Sequence, residues 1–224
     1  MASRSQPVLH RDDPSIEPLV GNVKVTRDDW LNHARDVLVH EGVGELKILS
    51  LSARMNVSRS SFYWYFQNRA DLLAALLAEW EERNTRTILT HCALPADDIH
   101  AAVCNFFTCF VDEGLFDRNL DFAIREWARR DQNVNDLIQA ADRTRLATIT
   151  EMFARHGYSD TEADARARVL YFMQIGYHAV EMRETMAERT SRVEVFLNCF
   201  TGRQPSAALV DEFSEFAMQQ ERKS

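Results

Sequence analysis

The stretch that decides the fold runs over residues 56–73 and reads NVSRSSFYWYFQNRADLL. Within it, Phe62 and Phe66 are one helical turn apart and can enter one core together. The three residues between them are aromatic and cover about 300° of a helix, so they cannot all join that core. Ser58 can cap a short helix over 59–66. The stretch therefore predicts a short helix with buried phenylalanines and with polar aromatic side chains on its outer surface.

Two further helices are predicted before this one. Thr26 is a candidate N-cap for a helix that Gly42 and Gly44 end, and residues 48–55 carry a second, shorter apolar face. Asn56 follows, and Asn tolerates the left-handed backbone of a sharp turn. A longer helix followed by two short helices with a tight turn between them is the helix-turn-helix arrangement, whose second short helix enters the major groove of DNA.

The rest of the chain also shows helical periodicity. A long amphipathic helix is predicted over 68–90. Further helices are predicted at 96–114, 117–130, 131–156, 160–188 and 205–221. The sequence contains no convincing run of period-two alternation and no internal repeat. The pattern predicts an all-α fold with an N-terminal three-helix unit.

The composition excludes several classes of protein. The chain has 224 residues, 46% of them apolar and 27% charged, so it is not disordered overall, collagenous or a disulfide scaffold. No stretch approaches the roughly 18–20 uninterrupted apolar residues that span a bilayer, and the first residues lack the apolar core of a signal peptide. The four cysteines form no C-x-x-C pair. We expect a cytoplasmic protein with reduced thiols and without a membrane partner, a metal site or a cofactor.

The charge is distributed unevenly along the chain. The net charge is −8, which opposes binding to phosphates. Residues 1–70, however, hold 9 Lys and Arg against 8 Asp and Glu, whereas residues 71–224 hold 17 against 26. The early part can therefore still face DNA, and the acidic balance of the later part allows a cationic ligand.

The run over 57–73 resembles the recognition helix and the following segment of the TetR/AcrR family of transcriptional repressors. The shared features are the Val-Ser opening, the Phe-Tyr pair, the second Phe, a basic residue three positions later and the Leu-Leu that begins the next helix. With the preceding helices, the resemblance covers about residues 26–75. Several residues differ from those that are common in the family. Asn56 and Ser60 stand where the family often has Gly, and Lys47 stands where it often has a capping Thr or Ser. Tyr65 stands where a His is common, and Arg69 stands where a Lys is common.

The resemblance implies a homodimeric repressor that docks in the major grooves of a near-palindromic DNA operator and is released by a small-molecule effector. The C-terminal part would be a helical ligand-binding and dimerisation domain. The predicted parts are a flexible N-terminal arm at 1–25, a helix-turn-helix DNA-binding domain at 26–72, and a helical effector-binding and dimerisation domain at 73–224.

The predicted DNA contacts combine groups that reach phosphates with groups that reach base edges. They are Lys47, Ser58, Arg59, Ser61, Tyr63, Trp64, Tyr65 and Arg69. We expect Arg59 to read bases, and we expect Tyr63 and Arg69 to contact phosphates.

The effector candidates are side chains whose polar atoms can orient a ligand in an aromatic-rich cavity: Trp127, Tyr171, Tyr177 and His178. Core packing also explains aromatic residues at helical spacing, so both interpretations stay open. The helix over 160–188 has two apolar faces, which suits packing between its own core and a partner chain. One face holds Ala163, Ala167, Leu170, Gln174 and His178, and the other holds Val169, Phe172, Met173, Gly176 and Val180. The final helix is the expected second member of that dimer interface, and burial in the core of the monomer is the alternative for these faces.

Two other functions remain open from the sequence. The first is a helix-turn-helix regulator that needs no effector and acts through protein partners. The second is a helical enzyme, although the chain has no phosphate-binding Gly-rich loop, no G-x-S-x-G and no H-E-x-x-H. Asp97 and Asp98 lie beside His100, but after a proline they more simply begin a helix. We predict no catalytic residues.

Overall fold

The computed structural model describes residues 25–180, 182 and 184–222. The predicted N-terminal arm lies outside these residues, apart from Val25. The described residues form helices and no strand, which confirms the all-α prediction. The helices are α1 (Arg27–Glu41), α2 (Ile48–Arg54), α3 (Arg59–Tyr63), α4 (Arg69–Trp80), α5 (Arg86–Ala93), α6 (Ile99–Val111), α7 (Arg118–Ala128), α8 (Gln132–Arg155), α9 (Asp160–Ala179), α10 (Met186–Thr190), α11 (Val193–Thr201) and α12 (Ala207–Glu221).

The predicted cap of α1 and the predicted turn before α3 are present, whereas Ser58 stands at the N-cap position of α3 without the predicted side-chain cap bond. Thr26 caps α1 in a capping box: its hydroxyl accepts from the Asp29 amide at 3.2 Å, and the Asp29 carboxylate accepts from the Thr26 amide at 2.7 Å. Asn56 has φ 53° and makes the left-handed turn between α2 and α3. The helix predicted over 59–66 is too long, because α3 ends at Tyr63. One further turn follows it, in which the Phe66 amide donates to the Phe62 carbonyl.

A first core holds the helix-turn-helix together. Trp30 of α1 meets Phe62 of α3 edge to face, with ring centroids 5.3 Å apart, and Phe66 lies 5.3 Å from Phe62. All three side chains are buried, as predicted for the two phenylalanines. The same core continues into α7 and α8 through Leu120, Ile124, Trp127, Val134 and Ile138. The three-helix unit therefore packs directly on helices that follow residue 72.

A second core lies among α5, α6, α8, α9 and α11. Its large members include Ile88, Phe106, Phe153, Leu170 and Phe200. Helix α12 packs on α6, α10 and α11, and its Leu209 and Phe213 cover this core. Leu209 and Phe213 remain partly exposed, so the expected part of the final helix in a dimer interface stays a prediction.

Helix α9 has the two faces that its sequence predicts. Its inner face, formed by Ala163, Ala167, Leu170, Gln174 and His178, is buried. On its outer face, Val169, Phe172 and Val180 are each more than half exposed. The single helix predicted over 160–188 is wrong, because α9 ends at Ala179 and α10 begins at a capping box formed by Thr185 and Glu188.

The long helix predicted over 68–90 is present but contains an irregular turn. Residues Glu81–Thr85 between α4 and α5 form a π-helical turn that buries Asn84 and Thr85. The Asn84 amide bridges to the connection before α7: its nitrogen donates to the Asp117 carbonyl at 2.9 Å, and its oxygen accepts from the Asp117 amide at 3.0 Å. A π turn adds one residue to a helical turn, and here it directs two polar side chains inward.

A buried charge network lies beside this turn. Asp121 of α7 and Arg145 of α8 are fully buried, and a guanidinium nitrogen of Arg145 donates to the Asp121 carboxylate at 3.2 Å. Asp121 also accepts from the indole of Trp80 at 2.7 Å and from Arg125 at 2.8 Å. The Arg145 guanidinium further donates to the Thr85 hydroxyl at 2.9 Å. The network joins the π turn to α7 and α8.

The charges of this network compensate one another. Burial alone would raise the pKa of the Asp121 carboxyl, but the Arg145 and Arg125 guanidiniums outweigh it and hold that pKa below its usual value. Asp142, which is partly exposed, accepts two hydrogen bonds from Arg125 at 2.7 and 2.9 Å and completes the network at its solvent side. Asp121 therefore stays ionised at neutral pH.

We expect Asp121→Ala to lower the free energy of unfolding by about 3–5 kcal/mol, because it leaves the buried Arg145 guanidinium without its closest carboxylate. Asp142→Ala is the matched control, and its loss should be smaller because water reaches that position. Urea unfolding at pH 7 and one protein concentration measures both. Equal losses in the two variants would contradict this account.

Candidate nucleic-acid interface and ligand cavity

The surface of α3 is formed by side chains that its core-facing phenylalanines leave outside. Trp64 is 83% exposed and Tyr63 is 57% exposed, and Arg59 lies at the exposed start of the helix. Arg59 forms no ion pair within the part of the chain that the structure describes. An indole so exposed at the tip of a structured domain is a common feature of interaction surfaces. We call Arg59, Tyr63 and Trp64 the α3 surface.

The serines around α3 have different surroundings. The Ser58 and Ser60 hydroxyls lie 2.7 Å apart on the exposed side, and Ser58 makes no side-chain cap to α3. The Ser61 hydroxyl is buried and has no hydrogen-bond partner among the described residues. Ser58 thus lies beside the α3 surface, and Ser61 lies behind it.

Two of the predicted contact residues donate hydrogen bonds inside the chain. The Tyr65 hydroxyl donates to the Val25 carbonyl at 2.9 Å. The Arg69 guanidinium donates at 2.6 Å to each of the carbonyls of Val43 and Leu46, in the connection between α1 and α2. These bonds connect the residues that follow α3 to the residue before α1 and to the connection between α1 and α2. The sequence could not reveal them, because the partners are 23 to 40 residues away.

Lys47 occupies the N-cap position of α2 without a side-chain cap bond. Its ammonium group is exposed and lies 3.2 Å from the Glu45 carboxylate. Arg54, at the other end of α2, pairs with Glu41 at 2.8 Å. The two cations thus lie at opposite ends of α2 with their charge partly compensated.

The four predicted effector residues fall into two places. Trp127 lies in the first core, and its indole donates to Asp131 at 3.3 Å. The Tyr171 hydroxyl belongs to the charge network and donates to Asp142 at 2.6 Å. Tyr177 and His178, in contrast, both line a cavity. The structure brings these two residues together and keeps the other two in the packed interior.

This larger cavity has a volume of about 510 Å³ and opens to solvent. Its wall is built from α1, the π turn, the end of α6, the connection to α7, the start of α7, α9, α10 and the end of α12. The polar wall includes Arg35, Arg83, Arg118, Tyr177, His178 and Arg189. A smaller, apolar cavity of about 80 Å³ lies next to it and shares Tyr177 and Met186. The volume of the larger one is in the range of small-molecule sites.

His178 is buried at the inner wall of this cavity. Burial lowers the pKa of His178 to about 4, and the positive charges of Arg118 and Arg189 act in the same direction. The imidazole is therefore neutral at pH 7. Its Nε2 lies 2.7 Å from the amide nitrogen of Gln174, one turn earlier in α9.

Three further features of the described residues concern metal ions, membranes and thiols. No group of three or more His, Cys, Asp or Glu among them is placed to hold a metal ion. None of the helices in the described ranges is both long and apolar enough to cross a membrane. Cys92, Cys104 and Cys109 are buried free thiols, and Cys199 is an exposed one.

Comparisons with known proteins agree with this geometry. Residues 31–76 match the model of the family described as bacterial regulatory proteins, tetR family. The structure of Salmonella enterica GusR aligns with a TM-score of 0.55 at 16% identity, over 88% of this chain and 95% of that chain. Mycobacterium smegmatis AmtR aligns with a TM-score of 0.58 at 14% identity, over 89% of this chain and 97% of that chain. No curated protein matches in sequence. The two structural likenesses show that the fold is shared along most of the chain.

We expect the neutral, buried state of His178 to make stability depend on pH. The unfolded chain protonates this imidazole near pH 6.5, and the folded chain only near pH 4. The free energy of unfolding of the unsubstituted protein minus that of His178→Gln should be constant above about pH 7 and fall by about 3 kcal/mol between pH 6.5 and 4. Urea unfolding across this pH range measures it. A difference that does not change with pH would show that His178 is not buried as described.

Proposed function

We propose that this chain, whose residues 31–76 match the model of the tetR family of bacterial regulatory proteins, is a DNA-binding transcriptional repressor that binds a near-palindromic operator as a homodimer. A small molecule that binds the C-terminal helices releases it from DNA. The observation that carries the operator part is the α3 surface, where an unpaired arginine lies beside two exposed aromatic residues. We place this activity in the cytoplasm, where the operator is accessible.

In this proposal the α3 surface enters the major groove. The Arg59 guanidinium has the donor geometry to read a guanine edge, and the Tyr63 hydroxyl is suited to a phosphate. The Trp64 ring supplies apolar contact to thymine methyls and sugars. Ser58 and Lys47, which border the surface, add phosphate contacts. Ser61 lies behind the surface and reaches DNA only after a rotamer change.

Tyr65 and Arg69 act differently in this proposal. Each donates to backbone carbonyls that flank α1 and α2, so each orients α3 relative to the other two helices. The sequence also predicts that both residues contact phosphates. Such a contact would use donor groups that are not engaged by these carbonyls. Arg69 keeps such capacity because a guanidinium carries five N–H donors.

The outer face of α9 supports a homodimer. Val169, Phe172 and Val180 are 57%, 53% and 67% exposed, and they follow one another at helical spacing along one stripe. Gly176 lies on the same stripe and has no atom within 4 Å of the place where a side chain would begin. A second copy can approach the backbone there. A two-fold dimer would then present two α3 surfaces to successive major grooves.

The packing of the described chain supports control from the C-terminal helices. The first core joins α1 and α4 to α7 and α8, so a movement of α7 changes the position of the helix-turn-helix. A ligand that prefers one of two such positions shifts the population towards it. Release from the operator requires only that the preferred position separates the two α3 surfaces by a distance that the operator does not match.

Selection from a random duplex library tests operator binding. The full chain is expected to enrich a near-palindrome, and the triple variant R59A/Y63A/W64A is expected to enrich none. Arg86→Ala, which removes an exposed arginine of α5 that is outside the α3 surface, is the control and should select the same sequence. Failure of the folded protein to enrich any sequence at low salt would overturn the proposal.

The two polar members of the α3 surface should have different effects when changed singly. Arg59→Ala is expected to relax preference at one base position and to cost about 1–3 kcal/mol on the preferred operator. Tyr63→Ala is expected to weaken binding to all sequences alike, because it loses a phosphate contact. Competition titrations with operator variants measure both effects. An unchanged base preference for Arg59→Ala would exclude base reading by that residue.

The dimer face has its own test. Phe172→Glu places a charge in the centre of the α9 stripe and is expected to give monomers in sedimentation velocity, with at least tenfold weaker operator binding. Leu94→Glu is the matched control, because Leu94 is an exposed apolar residue at the end of α5, away from that stripe. A dimeric Phe172→Glu variant would assign dimerisation to another surface.

A further inference from the structure

The wall of the larger cavity brings together four arginines from four separate elements. Arg35 comes from α1, Arg83 from the π turn, Arg118 from α7 and Arg189 from α10. Three of these arginines belong to residues 71–224, which hold 17 Lys and Arg against 26 Asp and Glu, and Arg35 comes from the earlier part of the chain. The overall acidity, which allowed a cationic ligand, therefore does not describe this wall.

Three buried polar atoms of the residues in this wall have no hydrogen-bond partner among the described residues: Nε of Arg35, Nε of Arg83 and Nδ1 of His178. An arginine Nε–H can only donate. The amide nitrogen of Gln174 donates to Nε2 of His178, so the neutral imidazole carries its proton on Nδ1 and donates there too. All three atoms are thus donors that need an acceptor.

The carboxylates of the wall do not supply that acceptor, because other groups already engage them. Asp117 caps α7 by accepting from the Leu120 amide at 2.9 Å, and its other oxygen lies 3.8 Å from Nη1 of Arg83, an ion pair that leaves Nε of Arg83 without an acceptor. Glu184 accepts from the Tyr177 hydroxyl and from Arg192. Glu221 accepts from the Met186 amide at 3.0 Å. A fourth, Glu113, is exposed at the rim.

Arg35 and Arg83 are ion-paired with Glu79 and Asp117, but each keeps an Nε–H without an acceptor that an anion can use. Arg118 makes no ion pair within the described ranges, and Arg189 lies over the Tyr177 ring at 5.4 Å. Phe110 and Phe116 add an apolar part to the wall. A ligand that fits this wall has a negatively charged, acceptor-rich end and an apolar body.

We propose that the larger cavity binds a small organic carboxylate whose charged end accepts from Arg35, Arg83 and His178 and whose body packs on Phe110 and Phe116. This inference deepens the proposed function, because it names the chemical class of the effector and rests on the chain being an effector-controlled regulator.

The position of Arg35 gives the carboxylate a route to the helix-turn-helix. The Arg35 guanidinium pairs with Glu79 of α4 and also donates to Asn32 at 2.9 Å. A ligand carboxylate competes with Glu79 for the same guanidinium and weakens the tie between α1 and α4. It also bridges α1 to the π turn at Arg83. The angle between α1 and α4 changes, and the α3 surfaces of a dimer move relative to one another.

The binding experiment uses a fixed panel of carboxylates: the straight-chain acids from butyrate to dodecanoate and the phenylalkanoates from phenylacetate to phenylbutyrate. Each is paired with the primary amide and the primary amine of the same skeleton, and binding to the full chain is measured by calorimetry. At least one carboxylate is expected to bind at least tenfold more tightly than its amide and its amine. Absence of binding by every carboxylate, or equal binding by an amide, would overturn the proposal.

Two arginine variants localise the site. Arg83→Gln is expected to weaken the best carboxylate at least tenfold. Arg86→Gln, three residues later and exposed outside the cavity, should leave it unchanged. Circular dichroism and thermal unfolding show whether each variant folds. If Arg83→Gln does not fold, His178→Phe replaces it, because it removes the Nδ1–H donor of the same site. Equal carboxylate affinity in all folded variants would place the binding elsewhere and overturn the assignment.

Operator release is measured separately, by fluorescence anisotropy on the selected duplex. A saturating carboxylate is expected to weaken operator binding at least fivefold in the unsubstituted protein and not in Arg83→Gln. Operator selection without any carboxylate binding would refute this inference and leave the proposed function standing. Carboxylate binding without operator selection would refute the proposed function and leave the site assignment standing. Binding without release would refute the route through Arg35.

Discussion

The fully buried guanidinium of Arg145 is the constraint that the arrangement of the central helices satisfies. An arginine removed from water requires a nearby negative charge and acceptors for its donors, and here Asp121, Thr85 and Tyr171 supply them from three different elements. Thr85 can contribute only because the π turn directs it inward. One buried charge thus fixes the register of α7, α8 and α9 against the long α4–α5 helix.

This arrangement connects the larger cavity to the helix-turn-helix through the same set of packed helices. The π turn provides Asn84 and Thr85 to the charge network and Arg83 to the cavity wall. Irregular turns of this kind are frequent at functional sites, because the extra residue directs neighbouring side chains to opposite sides. Arg83 thus lies on a turn that continues α4 and that buried hydrogen bonds of Asn84 and Thr85 hold on its other side.

Part of this structure is predictable from the sequence, and the physical reason is the range of the interactions involved. The burial of Phe62 and Phe66 and the exposure of Tyr63 and Trp64 follow from spacing along one helix, and they are confirmed. The roles of Tyr65 and Arg69 in bonding to distant carbonyls depend on contacts that leave no local pattern. Helix α11 was not predicted, since its residues VEVFLNCFT are mostly β-branched or aromatic and have low helix propensity. The T-x-x-E pattern from Thr185 to Glu188 is a capping box that indicates the start of α10, and therefore a break in the chain after α9.

The continuity of the first core has a consequence for the evolution and engineering of this chain. Transcriptional regulators are often treated as independent modules, in which the DNA-binding domain can be exchanged at a linker. Here Trp30, Leu38 and Leu76 share one apolar interior with Ile124 and Ile138, and no linker separates them. Exchange of the three-helix unit between relatives would bring together two parts of a core whose side chains are not matched in shape, with voids or overlaps between them. New DNA specificity is therefore more accessible by substitution on the exposed residues of α3 than by recombination.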